Sequence, residues 1–409
     1  MRRRWPGVSG ATPEMPTAVG TTLEPRRKRW HIGQVMTHHA YSASGVLLLA
    51  AGLRIEDEAM ARRLAAADVR LVHPDAKRRA APTGPTPEEA GEPEPAPYHE
   101  ELKRAWQVRA FAVRRVSTVL RRMQAGGQVT RAEVEPVVQP IVASLMRNNT
   151  ALLSLVRMKS FDRYTFTHSV NVCVLTVVLA REHDPTADLV EVGTGALLHD
   201  LGKMRLGAQI LNKAAALSPA EFAEVRKHPR YGLEMLSRSP GLVSETILRT
   251  VHEHHERHDG SGYPQQLPGD RISVPGRLAA VADTYDAMTS VRSYRARILP
   301  KDALAWLYAQ RGVKYDPDAV MAFINAMGVY PIGSGVRLGS GEIAMVVGVN
   351  RDHLARPTVM IVRDRRGSRV TTPGDLLDLA TDTTEQIVSH VDLLALGISP
   401  AKYLATPAL

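Results

Sequence analysis

A single cysteine, Cys173, in a chain of 409 residues leaves no intrachain disulfide to form. Such a chain suits a reducing compartment, and a cytoplasmic location is expected. Cys173 lies in an apolar run and reads as a small buried hydrophobe, not a nucleophile. No stretch approaches the ~18 consecutive apolar residues of a membrane span, and Val46 to Leu53 is far too short. The N-terminal arginines have no apolar run directly behind them, which argues against a secretory signal. No internal repeat is visible. Acid is scarce relative to base: 42 Asp and Glu stand against 52 Lys and Arg, a formal charge of +10. That balance suits phosphate-bearing partners without choosing among them. Part of the excess lies in Arg2 to Arg4 and Arg26 to Arg29, which read as solvated tails; nucleic acid is not expected as a partner.

The length suits two or three domains, and 44% hydrophobic residues supply a core. Residues 1–24 read as a disordered basic tail. Residues 25–75 read as a small α+β module, with strands at Gly45 to Leu49 and Val69 to Val72 around a helix from Glu56 to Ala67. Residues 76–98 hold six prolines, two glycines and four glutamates, the composition of a linker. Residues 99–328 are helical in pattern throughout. Val108, Phe111, Ala112, Val116, Val119 and Leu120 form one amphipathic face. Helices are predicted over Val138 to Leu155, Phe161 to Ala180, Leu189 to Leu201, Glu245 to Glu256, Val274 to Thr289 and Lys301 to Gln310. Ser218-Pro219-Ala220-Glu221 is a capping box that opens another, running to about Leu236. From residue 329 to 409 the character turns to β, with strands at Gly335 to Leu338, Glu342 to Val349 and Thr358 to Val362. The expected fold is mainly α: an all-helical domain of about ten helices, a small N-terminal α+β module and a small C-terminal β module.

Eight of the fifteen histidines lie between His168 and His258. Imidazole is the commonest protein metal ligand. His199-Asp200 follows an apolar helix and offers an imidazole and a carboxylate to one place, and a carboxylate can bridge two cations. Lys203, three residues past Asp200, faces the same side of a helical turn. His254 and His255 are adjacent, and helix residues point about 100° apart, so each is expected to serve a different ion. Gly260 and Gly262 permit a tight turn that Pro264 stiffens. Asp283 ends an apolar helical turn, where a carboxylate needs a partner. Singly, a helix histidine is a core or surface residue and Lys203 a helix-end charge. Together and in order they indicate a metal site.

His199-Asp200, with His168 ahead and Asp283 behind, resembles the HD metal-dependent phosphohydrolase superfamily. His254-His255-Glu256, Gly260-Ser261-Gly262-Tyr263-Pro264, Asp283-Thr284-Tyr285-Asp286-Ala287-Met288 and Arg292-Ser293-Tyr294-Arg295 resemble its HD-GYP subfamily, over about residues 140–328. The resemblance implies an all-helical HD-type domain that hydrolyses the bacterial second messenger cyclic di-GMP to linear pGpG and/or GMP with a metal-activated water. It implies metal ligands at His168, His199, Asp200, His228, His254, His255 and Asp283. It places Lys203 at the scissile phosphate, Gly262, Tyr263 and Pro264 along the substrate pocket, and Arg292 and Arg295 toward substrate phosphates. Asp200 is the expected bridging carboxylate and, with Lys203, the catalytic pair. Members with a third metal carry a glutamate four residues before the first histidine; here Tyr164 stands there, so two divalent ions, iron or manganese, are expected. Ser293 replaces the usual proline. Protein partners in cyclic di-GMP signalling are a further implication. Residues 33–72 and 330–362 are similar to modules that flank such domains. A non-catalytic binding module is the alternative that the complete ligand set opposes. A hydrolase of another nucleotide, such as guanosine tetraphosphate, is the one that the Gly-Ser-Gly-Tyr-Pro loop opposes.

Overall fold

The computed structural model describes residues 30–41, 47–49, 54–55, 58–66, 70–72, 93–156, 164–211, 213, 215–239, 241–290, 298–370, 376–400 and 403. The basic tail, most of the proline-rich segment, and Arg292 and Arg295 lie outside the described residues.

Three short strands, β1 (His39–Tyr41), β2 (Leu47–Leu49) and β3 (Arg70–Val72), form an antiparallel sheet in the order β2-β1-β3, beside α1 (Glu58–Ala66). Its central strand, β1, carries no alternating apolar pattern and was not expected from sequence. The end of the proline-rich segment is anchored: the Ala96 amide donates to the Arg147 carbonyl, and the Tyr98 hydroxyl donates to Ser154.

Twelve helices follow among the described residues: α2 (Tyr98–Gln124), α3 (Arg131–Arg147), α4 (Asn149–Val156), α5 (Tyr164–His183), α6 (Leu189–Leu197), α7 (Ala208–Leu211), α8 (Pro219–Val225), α9 (His228–Leu236), α10 (Glu245–Glu253), α11 (Val274–Thr289), α12 (Pro300–Ala309) and α13 (Pro317–Met327). α5 is the hub. Val170, Val172, Cys173, Val174, Leu175, Val177 and Leu179 are all buried, so it is apolar around its circumference. It packs against α2, α6, α11 and α13. Burial pushes the Cys173 thiol up to about 12, which keeps it an inert hydrophobe.

The helix predicted from Ser218 to Leu236 is two helices. Ser218 caps α8 as expected, its hydroxyl accepting from the Glu221 amide. Pro229 then has no amide hydrogen for the Val225 carbonyl, four residues back, and the chain restarts as α9. The segment from Val138 to Leu155 likewise divides at Asn148, which is extended. α10 stops at Glu253, short of the Glu256 expected, so His254 and His255 sit at its end and not within it.

Five antiparallel strands close the chain: β4 (Gly335–Leu338), β5 (Ile343–Gly348), β6 (Thr358–Arg363), β7 (Leu376–Asp378) and β8 (Ile387–Val391), in the order β7-β6-β5-β4-β8. The first three fall within the β-rich stretches predicted for them. β7, three residues long, and β8, with Ser389 and His390 in its middle, are edge strands and were not expected from sequence. The sheet meets the helices where Lys301 sits 4.7 Å over the Tyr330 ring and Arg351 lies 3.2 Å from Glu182.

Candidate metal centre

The ends of α6, α8 and α10 converge on α5 and α11. His168 comes from α5 and Asp283 from α11. His199 and Asp200 follow α6, His228 opens α9, and His254 and His255 follow α10. All seven residues expected as ligands meet here. They form two groups: His168, His199 and Asp283; and Asp200, His228, His254 and His255. Within each group one donor atom per residue lies within 4.8 Å of the others. His254 and His255 thus fall in one group, against the expectation of one each. Both follow the last residue of α10, with His254 as its cap.

Two carboxylates face both groups. Asp200 Oδ1 lies 3.3 Å from His228 Nε2 and 3.8 Å from His254 Nε2. Its Oδ2 lies 3.3 Å from His199 Nε2 and 3.7 Å from His168 Nε2. Asp283 Oδ1 lies 3.1 Å from His168 Nε2, and its Oδ2 lies 3.9 Å from His255 Nδ1.

Helix ends fix the ring orientations. The last carbonyls of a helix have no amide partner within it. His199 Nδ1 donates to the Ala196 carbonyl at 2.8 Å, His228 Nδ1 to Val225 at 2.7 Å, and His254 Nδ1 to Val251 at 3.0 Å. The Val225 carbonyl is the one that Pro229 leaves free. With the proton on Nδ1, each ring presents an Nε2 lone pair inward. His168 is held differently: its Nδ1 is 2.8 Å from Asp286 Oδ2, and Asn171 Nδ2 donates to Asp286 Oδ1 at 3.0 Å. Asp286 is fully buried on α11 and was not among the expected site residues. It lies three residues past Asp283, the spacing that puts both on one helix face.

Electrostatics argue for cations. Burial holds His228 below its usual range, His254 down at about 4, and His255 well below, so these rings are neutral at pH 7. His228 Nε2 and His254 Nε2 nevertheless face each other at 3.2 Å. Two lone pairs at that distance repel unless positive charge stands near both. His199 Nε2 and Asp200 Oδ1 are buried without a hydrogen-bond partner. For both carboxylates burial favours the neutral form but is outweighed by the side chains that face them. His199 and Lys203 hold Asp200 well below the carboxylate range, and His168 does so for Asp283. Imidazole lone pairs, ionised carboxylates and orphaned buried donor atoms fit divalent metal ions.

Residues 149–319 match the HD domain family, and residues 335–396 match the KOW domain associated with HD domain. Cyclic di-GMP phosphodiesterase PA4108 of Pseudomonas aeruginosa is 38% identical over 309 residues, covering 75% of this chain and 72% of that protein. This chain belongs to the HD-GYP family. The cyclic di-GMP phosphodiesterase response regulator RpfG of Xanthomonas campestris is 42% identical over 130 residues, 32% of this chain and 34% of that protein. The 3'3'-cGAMP-specific phosphodiesterase 3 of Vibrio cholerae is 36% identical over 183 residues, 44% of this chain and 39% of that protein.

The HD-GYP loop is built on a buried carboxylate. Glu256 accepts from the amides of Gln265 at 2.6 Å and Leu267 at 3.0 Å, which ties both ends of the turn. Gly262 is required by close approach: a Cβ there would lie 2.4 Å from the Arg257 nitrogen. The loop carries the Tyr263 ring to 4.7 Å from the His255 ring, beside the centre, with Pro264 next to it. Lys203 Nζ reaches Asp200 Oδ2 at 2.6 Å from the opening of the turn after α6. The N-terminal module touches the same loop, where Gln265 Nε2 donates to the Arg54 carbonyl at 3.3 Å. Among the described residues, no helix is long and apolar enough to cross a membrane.

Proposed function

We propose that this protein is a metal-dependent phosphodiesterase that hydrolyses cyclic di-GMP to linear pGpG and/or GMP. The observation that carries the reading is Asp200, with one oxygen turned to each of two ligand groups. His168, His199 and Asp283 would hold one divalent ion and His228, His254 and His255 a second, with Asp200 shared. Iron or manganese suits this nitrogen and oxygen set. Two such ions, when bound, acidify a water at neutral pH and draw charge from the phosphoryl oxygens.

The chain's own residues do the rest. Lys203, half-buried beside Asp200, donates to a non-bridging oxygen of the scissile phosphate and offsets the charge that builds there. Asp286 keeps the His168 Nδ1 proton in place and its Nε2 turned inward. Gly262, Tyr263 and Pro264 wall the pocket, and the Tyr263 ring lies against the base or ribose of the bound dinucleotide. Arg292 and Arg295 complete the phosphate contacts. The relatives' activities on cyclic di-GMP and on 3'3'-cGAMP support the substrate class.

The test is incubation of the purified protein with cyclic di-GMP and Mn(II) or Fe(II), with the nucleotides then separated and 3'3'-cGAMP run alongside. Linear product from wild type and none from Asp200→Asn is expected. Equal product from both proteins refutes the assignment. Preference for 3'3'-cGAMP would replace the substrate and keep the chemistry.

A further inference from the structure

Most basic side chains on α8, α9 and the segments before them are neutralised locally. Lys227 pairs with Glu224 at 2.7 Å, Lys213 with Glu221 at 2.5 Å, and Arg205 with Glu234 at 2.5 Å. Arg230 also reaches Glu234, at 3.9 Å. Lys203 is taken by Asp200. Arg257 is spent on the carbonyls of His254 and Glu256 and lies 5.1 Å over the Tyr315 ring.

Arg226 differs. It ends α8, two residues before His228, and is half-buried. Among the described residues its guanidinium has no carboxylate and no carbonyl partner. Its guanidinium lies over the Tyr263 ring, 5.0 Å from the centroid. That ring is itself 4.7 Å from His255. Stacking on an aromatic face holds a guanidinium in place while leaving its edge N–H groups unused. The result is a positioned, unneutralised fork of donors one ring away from the metal centre.

A cyclic dinucleotide carries two phosphates. The scissile one is served by Lys203 and the ligand groups; the second enters the site with a full negative charge. Resting on the cyclic-dinucleotide reading above, we propose that Arg226, seated on Tyr263, receives the second, non-scissile phosphate of the substrate. A planar fork of donors matches two phosphate oxygens at once, which a lysine does not. Tyr263 then acts as the platform that aims Arg226, beyond any contact of its own with a base. Arg226 is a binding residue, and its loss weakens substrate capture without disturbing the groups around the scissile bond.

The test uses the full chain loaded with Mn(II), and compares wild type, Arg226→Gln and Arg226→Lys on two substrates. Cyclic di-GMP has two phosphates; bis(p-nitrophenyl) phosphate is a diester with one. Arg226→Gln is expected to raise KM for cyclic di-GMP about tenfold or more, with kcat changed less than twofold. Arg226→Lys keeps the charge and is expected to recover part of the loss. The rise in KM for cyclic di-GMP should exceed any rise for bis(p-nitrophenyl) phosphate at least fivefold. An unchanged KM for cyclic di-GMP overturns the proposal, as does an equal rise on both substrates. If wild type cleaves bis(p-nitrophenyl) phosphate but neither cleaves nor binds cyclic di-GMP, the substrate reading fails and takes the role of Arg226 with it.

Discussion

Gly202, in the turn just after His199-Asp200, offers a severe single-atom test of the centre. A Cβ added there would lie 1.8 Å from the His228 carbonyl oxygen, 2.5 Å from the Gly232 amide nitrogen and 2.8 Å from the His228 carbonyl carbon. Ordinary contact begins near 3.4 Å, so the backbone of α9 must retreat by about 1.6 Å to admit an alanine. All three are backbone atoms, so no side-chain rotation relieves the contact. The retreat carries His228 with it, and His228 Nε2 now sits 3.3 Å from Asp200 Oδ1. A misplacement of about 1 Å at a reacting centre costs on the order of 100-fold in rate. Overpacking of a rigid contact costs about 3 kcal/mol in stability. Gly202→Ala is therefore expected to lose at least about 100-fold in Mn(II)-dependent turnover. Elemental analysis should find less metal per chain than in wild type, and the melting temperature should fall by about 6–10 °C. A variant with wild-type turnover and wild-type metal content would refute the reasoning, since α9 would then not be held against the turn as described.

Three further outcomes are expected. Asp286→Asn removes the charge that orients His168, and metal affinity should drop about 10- to 100-fold while the helical circular dichroism is unchanged; unchanged affinity would remove Asp286 from the centre. Lys203→Ala should lower turnover with metal content retained, because the role proposed for the lysine, which reaches Asp200, is to bind the phosphate and not the metal; loss of metal would contradict that role. The metal-free protein should be most stable near pH 6.5. Burial alone would lower His168, but Asp283 and Asp286 outweigh it and raise it from 6.5 to about 9. The stability it contributes is complete below 6.5 and is lost as pH rises through 9. His254, depressed by burial to about 4, must take up a proton on unfolding, so stability also falls as pH drops below 6.5. Calorimetry in chelator across pH 4–10 checks both limbs, and a flat alkaline limb would contradict the His168 pair.

Some of this was legible in the chain alone. Periodicity and capping are local, so α2, α11, α12 and strands β4 to β6 could be placed from spacing and turn residues. The residue types and order of the ligand set are equally local: His168, His199-Asp200, His228, His254-His255 and Asp283 could be picked out before any contact was known. Helix ends were harder. Pro229 and the short loop after Glu253 broke helices that the apolar pattern alone ran together.

What only the tertiary structure decided is how those residues share the space. That His254 and His255 turn to the same group follows from the end of α10, not from their adjacency. Asp200 spans both groups because the turn after α6 lies between α5, α9 and α10. The inward Nε2 of three rings is set by carbonyls at three helix ends. Asp286 meets His168 across 118 residues of sequence, and Arg226 meets Tyr263 only when the loop closes on α8. Sequence fixes which donors exist, since those are properties of single residues and their near neighbours. Distances between donors far apart in the chain are set by packing of the core, and the metal centre is made of such distances.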